Sequence, residues 1–293
     1  MKRKLFLLLL IISLITFSCT KKENIKSDTE LNIVASFYPI YISLLNITQG
    51  ATDTFVSLLA PADSGCLHNY QLTTKDMSLI ESCSFLFING AGMEDFILES
   101  TTDDQKAKII DSSSGWLELD HNSHIWISLD GTIYQIEKIA QELAKIDPKN
   151  AQIYSSNKTE YIKKLRNLKN QFAELKNKLT DTNIVLFNDS FYYFVKELNL
   201  NVLNIAHHEH GQEPSARDLA NISNKISETL AAGKKIILLD TMDSSNTSAK
   251  IISQETNLPI YELDPGTSGP LEPDAYISTM EYNLKTLEKA ADL

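Results

Sequence analysis

Residues 148–180 read PKNAQIYSSNKTEYIKKLRNLKNQFAELKNKLT, and they decide the fold because they form one long helical pattern with similar stretches of chain on either side. Pro148 stands where a first helical turn tolerates proline. Beyond it, Tyr161, Leu165, Leu168, Phe172, Leu175 and Leu179 recur at steps of four and three, a single apolar stripe with Lys, Asn and Glu filling the other positions. Neither Gly nor a further Pro interrupts the run. At 1.5 Å per residue it reaches on the order of 45 Å, about the width of a small domain. A strand of a coiled coil is the alternative, but the stripe lasts only about three heptads, so the pattern predicts an intramolecular spine.

Outward from the spine the chain alternates between short apolar runs and amphipathic stretches. Before it, strands are expected at 31–36, 54–59, 84–88 and 108–113, and helices at 38–47, at 73–80 with Thr73 or Thr74 as cap, at 93–98 and at 132–146. After it, strands are expected at 183–187, 201–205, 235–239 and 259–263, and helices at 191–198, 215–230, 249–256 and 275–291. Such alternation argues for parallel sheets covered on both faces. The fold class expected is α/β: two similar (βα)4 lobes with mostly parallel sheets, residues 31–147 and 181–293, joined by the spine helix 148–180. A cleft then lies between the lobes, and in such sheets ligands bind at the carboxyl ends of strands.

The first residues belong to a different regime. Lys2, Arg3 and Lys4 precede an apolar run from Leu5 to Phe17 that ends at Ser18-Cys19, which reads as a secretory signal peptide over 1–18. A small residue before Cys19, followed by the polar tether 19–30, resembles the lipobox of bacterial lipoproteins, with Thr16 where that pattern usually has leucine. Cys19 is therefore the expected lipidation site, anchoring an extracytoplasmic protein to the membrane through lipid alone. Loss of 1–18 removes three basic and no acidic residues, taking the formal charge from −11 to −14. That balance excludes nucleic acid as a natural partner. The two other cysteines, Cys66 and Cys83, could pair in an oxidising compartment or remain thiols.

All six histidines fall in loops: His68, then His121 and His124, then His207, His208 and His210. Imidazole is the commonest protein ligand for metals, and Asp264, directly after an expected strand, adds a carboxylate suited to Zn2+ or Mn2+. These loops come from both lobes, so a shared ion would sit in the cleft. Other signatures fail: Gly90-x-Gly92 lacks the third glycine of a dinucleotide fingerprint, no phosphate-binding Gly-x-x-x-x-Gly-Lys-Ser/Thr is present, and His208-Glu209 does not lead to the second histidine of a zinc protease. Gly90 and Gly92 read as a tight turn.

The same residues carry a family resemblance. His68-Asn69-Tyr70-Gln71-Leu72-Thr73 with Lys75-Asp76-Met77, and Ile88-Asn89-Gly90-Ala91-Gly92-Met93-Glu94, resemble the first-lobe signature of the zinc/manganese-binding solute-binding lipoproteins of bacterial metal ABC importers. His124-Ile125-Trp126-Ile127-Ser128, Glu213-Pro214-Ser215-Ala216, Tyr261-Glu262-Leu263-Asp264-Pro265 and Tyr276-Ile277 to Asn283-Leu284 continue the likeness through the chain. The resemblance implies a metal site made of His68 and His124 from the first lobe and Asp264 from the second. It also implies an ABC permease as partner, and a stiff helix that limits lobe movement. At the fourth position the family usually has His or Glu, and this chain has Asn188-Asp189. The fourth ligand is then open among His208, His210, His207, Asn188, Asp189 and water. The expected function is capture of Zn2+, less favourably Mn2+, by a monomeric receptor that is not an enzyme. Two other readings stay open: a zinc hydrolase with three protein ligands and a water, and an adhesin-like surface protein on the same fold.

Overall fold

The computed structural model describes residues 30–117, 122–206, 214–242 and 246–292. The leader, the expected lipidation site Cys19, His121 and the cluster His207, His208 and His210 lie outside the described residues. Two four-stranded sheets flank the long helix. The first is built from β1 (Leu31–Ala35), β2 (Thr54–Leu58), β3 (Phe85–Ile88) and β4 (Ile109–Asp111), interleaved with α1 (Tyr38–Thr48), α2 (Thr74–Ser82), α3 (Asp95–Ser100) and α4 (Asp103–Lys106). Next come α5 (Leu129–Ile146) and the spine helix α6 (Ala151–Lys178). The second sheet holds β5 (Thr182–Leu186), β6 (Asn201–Ile205), β7 (Lys235–Thr241) and β8 (Ile260–Leu263), with α7 (Tyr192–Glu197), α8 (Ala216–Ala231), α9 (Thr247–Thr256) and α10 (Ala275–Ala291).

The strand orders are β2-β1-β3-β4 and β6-β5-β7-β8, and every described pairing is parallel. The two sheets therefore repeat one topology, with the direction of winding reversing between β1 and β3 and again between β5 and β7. A crevice opens at such a reversal, outside the carboxyl ends of the strands. All five residues of β5 are buried, as expected for a parallel strand covered on both faces.

The spine accounts for the shared core. Tyr154, Tyr161, Ile162, Leu165, Leu168, Phe172 and Leu175 are the buried residues of α6, which packs on α1, α5 and α10. One apolar cluster runs continuously from Ile33 and Phe87 of the first sheet, through this stripe, to Ile184, Leu186 and Leu239 of the second. The outer faces are closed separately: Val34 and Leu86 pack with Ile80 of α2 and Ile97 of α3, while Val185 and Leu238 pack with Ile222 and Ile226 of α8 and Ile252 of α9. The stripe is thus spent within the chain rather than on a coiled-coil partner.

The α-helix begins three residues later than the sequence pattern suggests, because Pro148–Asn150 form a 3-10 turn. Asn150 explains it: its amide donates to Thr52 O at 2.9 Å and Asp147 Oδ2 at 2.7 Å, fastening the turn to the β2 edge before the helix starts. No helix among the described residues is long and apolar enough to cross a membrane.

Candidate metal centre

His68 follows β2 and sits in a 3-10 turn, Leu67–Asn69. Leu67 is 1% exposed and anchors that turn in the core. The chain beyond is pinned by Asp76, whose Oδ2 accepts the Tyr70 hydroxyl at 2.9 Å and both the N–H and hydroxyl of Thr73 at 2.8 Å. Thr73 in turn caps α2 in a reciprocal capping box.

His124 lies beyond β4, immediately before the 3-10 turn Ile125–Ile127, all three of whose side chains are buried. The segment is held from β3. Glu94, 1% exposed, accepts the Ser36 hydroxyl at 2.7 Å and the N–H groups of Asn89 at 2.7 Å and Gly90 at 3.0 Å. Asn89 then donates to Ser123 O at 2.9 Å. Gly90 has φ +82°, and a Cβ there would lie 1.8 Å from Asp111 Oδ1, so the glycine read as a tight turn is sterically required.

The orientation of the His124 ring follows from Asn122. Asn122 Oδ1 lies 2.9 Å from the His124 backbone nitrogen, which can only donate. The same oxygen lies 2.9 Å from His124 Nδ1, so in the neutral ring the proton sits on Nδ1 and Nε2 presents the lone pair. This is how a metal-ligating histidine is usually fixed by its other nitrogen. Nε2 points toward Cys66, whose Sγ is 3.7 Å away. The His68 and His124 rings have centroids 5.5 Å apart. Among the described residues, Cys66, His68 and His124 form a group whose donor atoms all lie within 4.8 Å of one another. Met93 Sδ lies 3.9 Å from Cys66 Sγ.

Asp264 follows β8 in the second half. A reciprocal pair with Asn283 holds its backbone: Asp264 N–H donates to Asn283 Oδ1 at 2.7 Å, and the Asn283 amide donates to Asp264 O at 2.9 Å. Its Oδ1 accepts Gly266 N–H at 2.8 Å. The next residue is reached from the His124 loop, where the Trp126 indole N–H donates to Pro265 O at 2.9 Å. Asp264 also acts on the first half through its charge: burial, then the Asp264 and Glu272 carboxylates, push the Tyr38 hydroxyl up to about 12.

Asp264 and Asp189 are outside the group of mutually close donors. Asn188 caps a short 3-10 turn, its Oδ1 accepting Ser190 N–H at 2.8 Å. Asp189 O accepts from the Asn122 amide at 2.8 Å. Cys66 and Cys83 are both thiols rather than a disulfide. Cys83 belongs to the outer cluster with Ile80 and Leu86, its Sγ bonded to Ile80 O at 3.2 Å. The thiol alternative for Cys66 and Cys83 is the one the structure shows, while sequence alone points neither to Cys66 as a donor beside the histidines nor to Asn122. The Cys-x-His spacing is only a weak signal for the first; nothing local marks the second.

Comparison with known proteins follows the same line. The family model described as "ZnuA: Zinc-uptake complex component A periplasmic" matches residues 33–290. The high-affinity zinc uptake system protein ZnuA of Bacillus subtilis is 26% identical over 312 residues, covering 92% of this chain and 91% of the relative. The zinc-binding lipoprotein AdcA of Streptococcus pneumoniae is 26% identical over 317 residues and aligns with all of this chain, which spans 62% of that relative's length. Among solved structures, the solute-binding protein FpvC of Pseudomonas aeruginosa in complex with Mn2+ matches at TM-score 0.79 and 26% identity, over 90% of this chain and 99% of the other. The Zn(II)-bound ZnuA-like domain of Streptococcus pneumoniae AdcA matches at TM-score 0.73 and 26% identity, over 90% and 100%.

Proposed function

This chain belongs to the zinc-uptake complex component A family, and on that premise we propose that it is an extracytoplasmic receptor that captures Zn2+ between two lobes, 31–147 and 181–293, and delivers it to an ABC permease. Mn2+ is the lesser cargo. The role is binding rather than catalysis, carried out by a monomer. Acylation of Cys19 anchors it, and two or more acyl chains give stable attachment where one would be marginal.

The observation that carries this reading is the His68–His124 pair: two imidazoles from separate loops, one of them held by Asn122 with its lone pair facing the other donors. Asp264 brings a carboxylate from the second lobe, giving the ion a neutralising charge. The fourth position is open among Asn188, Asp189, His207, His208, His210 and water. Because ligation requires unprotonated imidazole, acid favours release.

Titration of the metal-free protein with Zn2+ tests the reading. His68→Ala and His124→Ala should each lower affinity by more than about tenfold, roughly 1.4 kcal/mol, with Mn2+ bound more weakly than Zn2+ throughout. Unchanged binding in either variant, or Mn2+ bound as tightly as Zn2+, overturns it.

A further inference from the structure

We propose that the Cys66 thiolate is itself a ligand of the captured ion, completing the set with His68, His124 and Asp264, and that this sulfur sets the site for Zn2+ over Mn2+. The inference rests on the receptor reading above and goes beyond it in naming the fourth donor.

Geometry is the first argument. Zinc bonds of about 2.3 Å to sulfur and 2.0–2.1 Å to nitrogen, meeting at a tetrahedral angle, place the two donors about 3.6 Å apart. Cys66 Sγ and His124 Nε2 are 3.7 Å apart, the edge of such a tetrahedron. The nitrogen concerned is the one bearing the lone pair, since Asn122 occupies Nδ1. Local structure is the second. Leu67 points into the core at 1% exposure, so the residues on either side of it, Cys66 and His68, are directed together toward the loop carrying His124. A Cys-x-His step thus supplies two donors from one pinned turn.

A disulfide for Cys66 and Asn188 as the fourth donor are both weaker readings. The only other described cysteine, Cys83, lies in the cluster on the outer face of the first sheet, away from the inner cluster against which Cys66 packs. Asn188 offers a neutral amide oxygen already committed to capping. Chemically, thiolate is a soft donor that suits Zn2+, whereas Mn2+ prefers oxygen. On binding, the Cys66 S–H proton passes to solvent as the metal–sulfur bond forms. Four protein donors also leave no open position for water, which separates a receptor from a zinc hydrolase.

The test uses the full chain with Co2+ as a spectroscopic stand-in for Zn2+. Wild type should show a thiolate-to-cobalt charge-transfer band in the near ultraviolet. Cys19→Ser and Cys83→Ser should keep the band, and Cys66→Ser should lose it. Zn2+ affinity of Cys66→Ser should fall by more than about tenfold with Mn2+ affinity little changed, so that the preference narrows. Iodoacetamide labelling of Cys66, mapped by mass spectrometry, should be blocked by Zn2+ in the wild type. A wild type that binds Co2+ and Zn2+ through His124 but shows no thiolate band, or labels equally with and without Zn2+, overturns the Cys66 proposal and leaves the receptor reading standing. Absence of Zn2+ and Co2+ binding altogether would overturn both.

Discussion

Asn122 does more for the site than its small side chain suggests. Its oxygen fixes both the backbone and the ring of His124, its amide donates across to Asp189 O, and its own carbonyl accepts the Tyr193 hydroxyl at 2.9 Å. One residue therefore orients the His124 ring and ties its loop to the second half. Partners of this kind usually contribute 10–100-fold to metal affinity. Asn122→Ala should weaken Zn2+ binding by about that factor, while Asn122→Asp, which keeps the acceptor for Nδ1–H, should retain most of it. Isothermal titration of the two variants decides the matter: equal losses would show that the acceptor oxygen is not what matters. The Trp126 indole works in a similar way on the other flank, its bond to Pro265 O placing the Asp264 loop beside the His124 loop.

At the scale of elements, legibility followed periodicity. The strands were readable because apolar runs bounded by turn residues have few other uses, and α10 was expected with the bounds observed, Ala275–Ala291. The stretches that shape the site were not: the 3-10 turns Leu67–Asn69 and Ile125–Ile127 are three residues long, too short to show a period. Their conformation depends on core anchors such as Leu67 and Trp126. So His68 and His124 could be flagged from residue type and loop position, while the Cys66–His124 approach, between residues 58 apart in sequence, required the fold. Helix α4 was overlooked although Thr102 and Gln105 form a capping box, because one turn carries no apolar stripe.

Glu197 belongs to this scale as well. From α7 it accepts Leu129 N–H at 2.8 Å, covering the amino terminus of α5, where a negative charge is favoured. Burial, and then the neighbouring Asp130 carboxylate, nevertheless push its pKa up to about 7 against the opposing pull of Lys169 and the N–H donors. The folded protein then holds a proton that the unfolded chain releases above its ordinary value of 4.5. Its contribution to stability is full below that value, falls as pH rises toward about 7, and changes little above it. Denaturant midpoints measured across this range should decline less steeply in Glu197→Gln than in the wild type; parallel curves would exclude the residue.

Across the whole molecule the repeat of one sheet order on either side of α6 puts the loops carrying His68, His124 and Asp264 beyond strand carboxyl ends, and the shared core makes large relative movement of the halves costly. Besides the stiff 28-residue helix, the halves are clasped by hydrogen bonds between them. The Tyr276 hydroxyl bonds to Trp126 O and Thr132 Oγ1 at 2.8 Å, the Tyr38 hydroxyl to Pro270 O at 2.8 Å, and the Asn46 amide to Pro273 O at 2.7 Å. A wide hinge would break these together, each worth about 0.5–1.5 kcal/mol, and would open the apolar cluster that α6 shares with both sheets. Local rearrangement of the loops is then the less costly motion, and the one the proposed ion capture would use. Hydrogen exchange followed by mass spectrometry should show Zn2+ protecting amides around 66–70, 122–128 and 264–266, with α6 and the outer helices α2, α8 and α9 unchanged. Closure of two hinged lobes would instead spread protection to the contacts of α1 with 269–273, and that pattern would refute a clasped molecule. In a clasped molecule, taking up or giving up an ion at the proposed site needs only these loops to loosen.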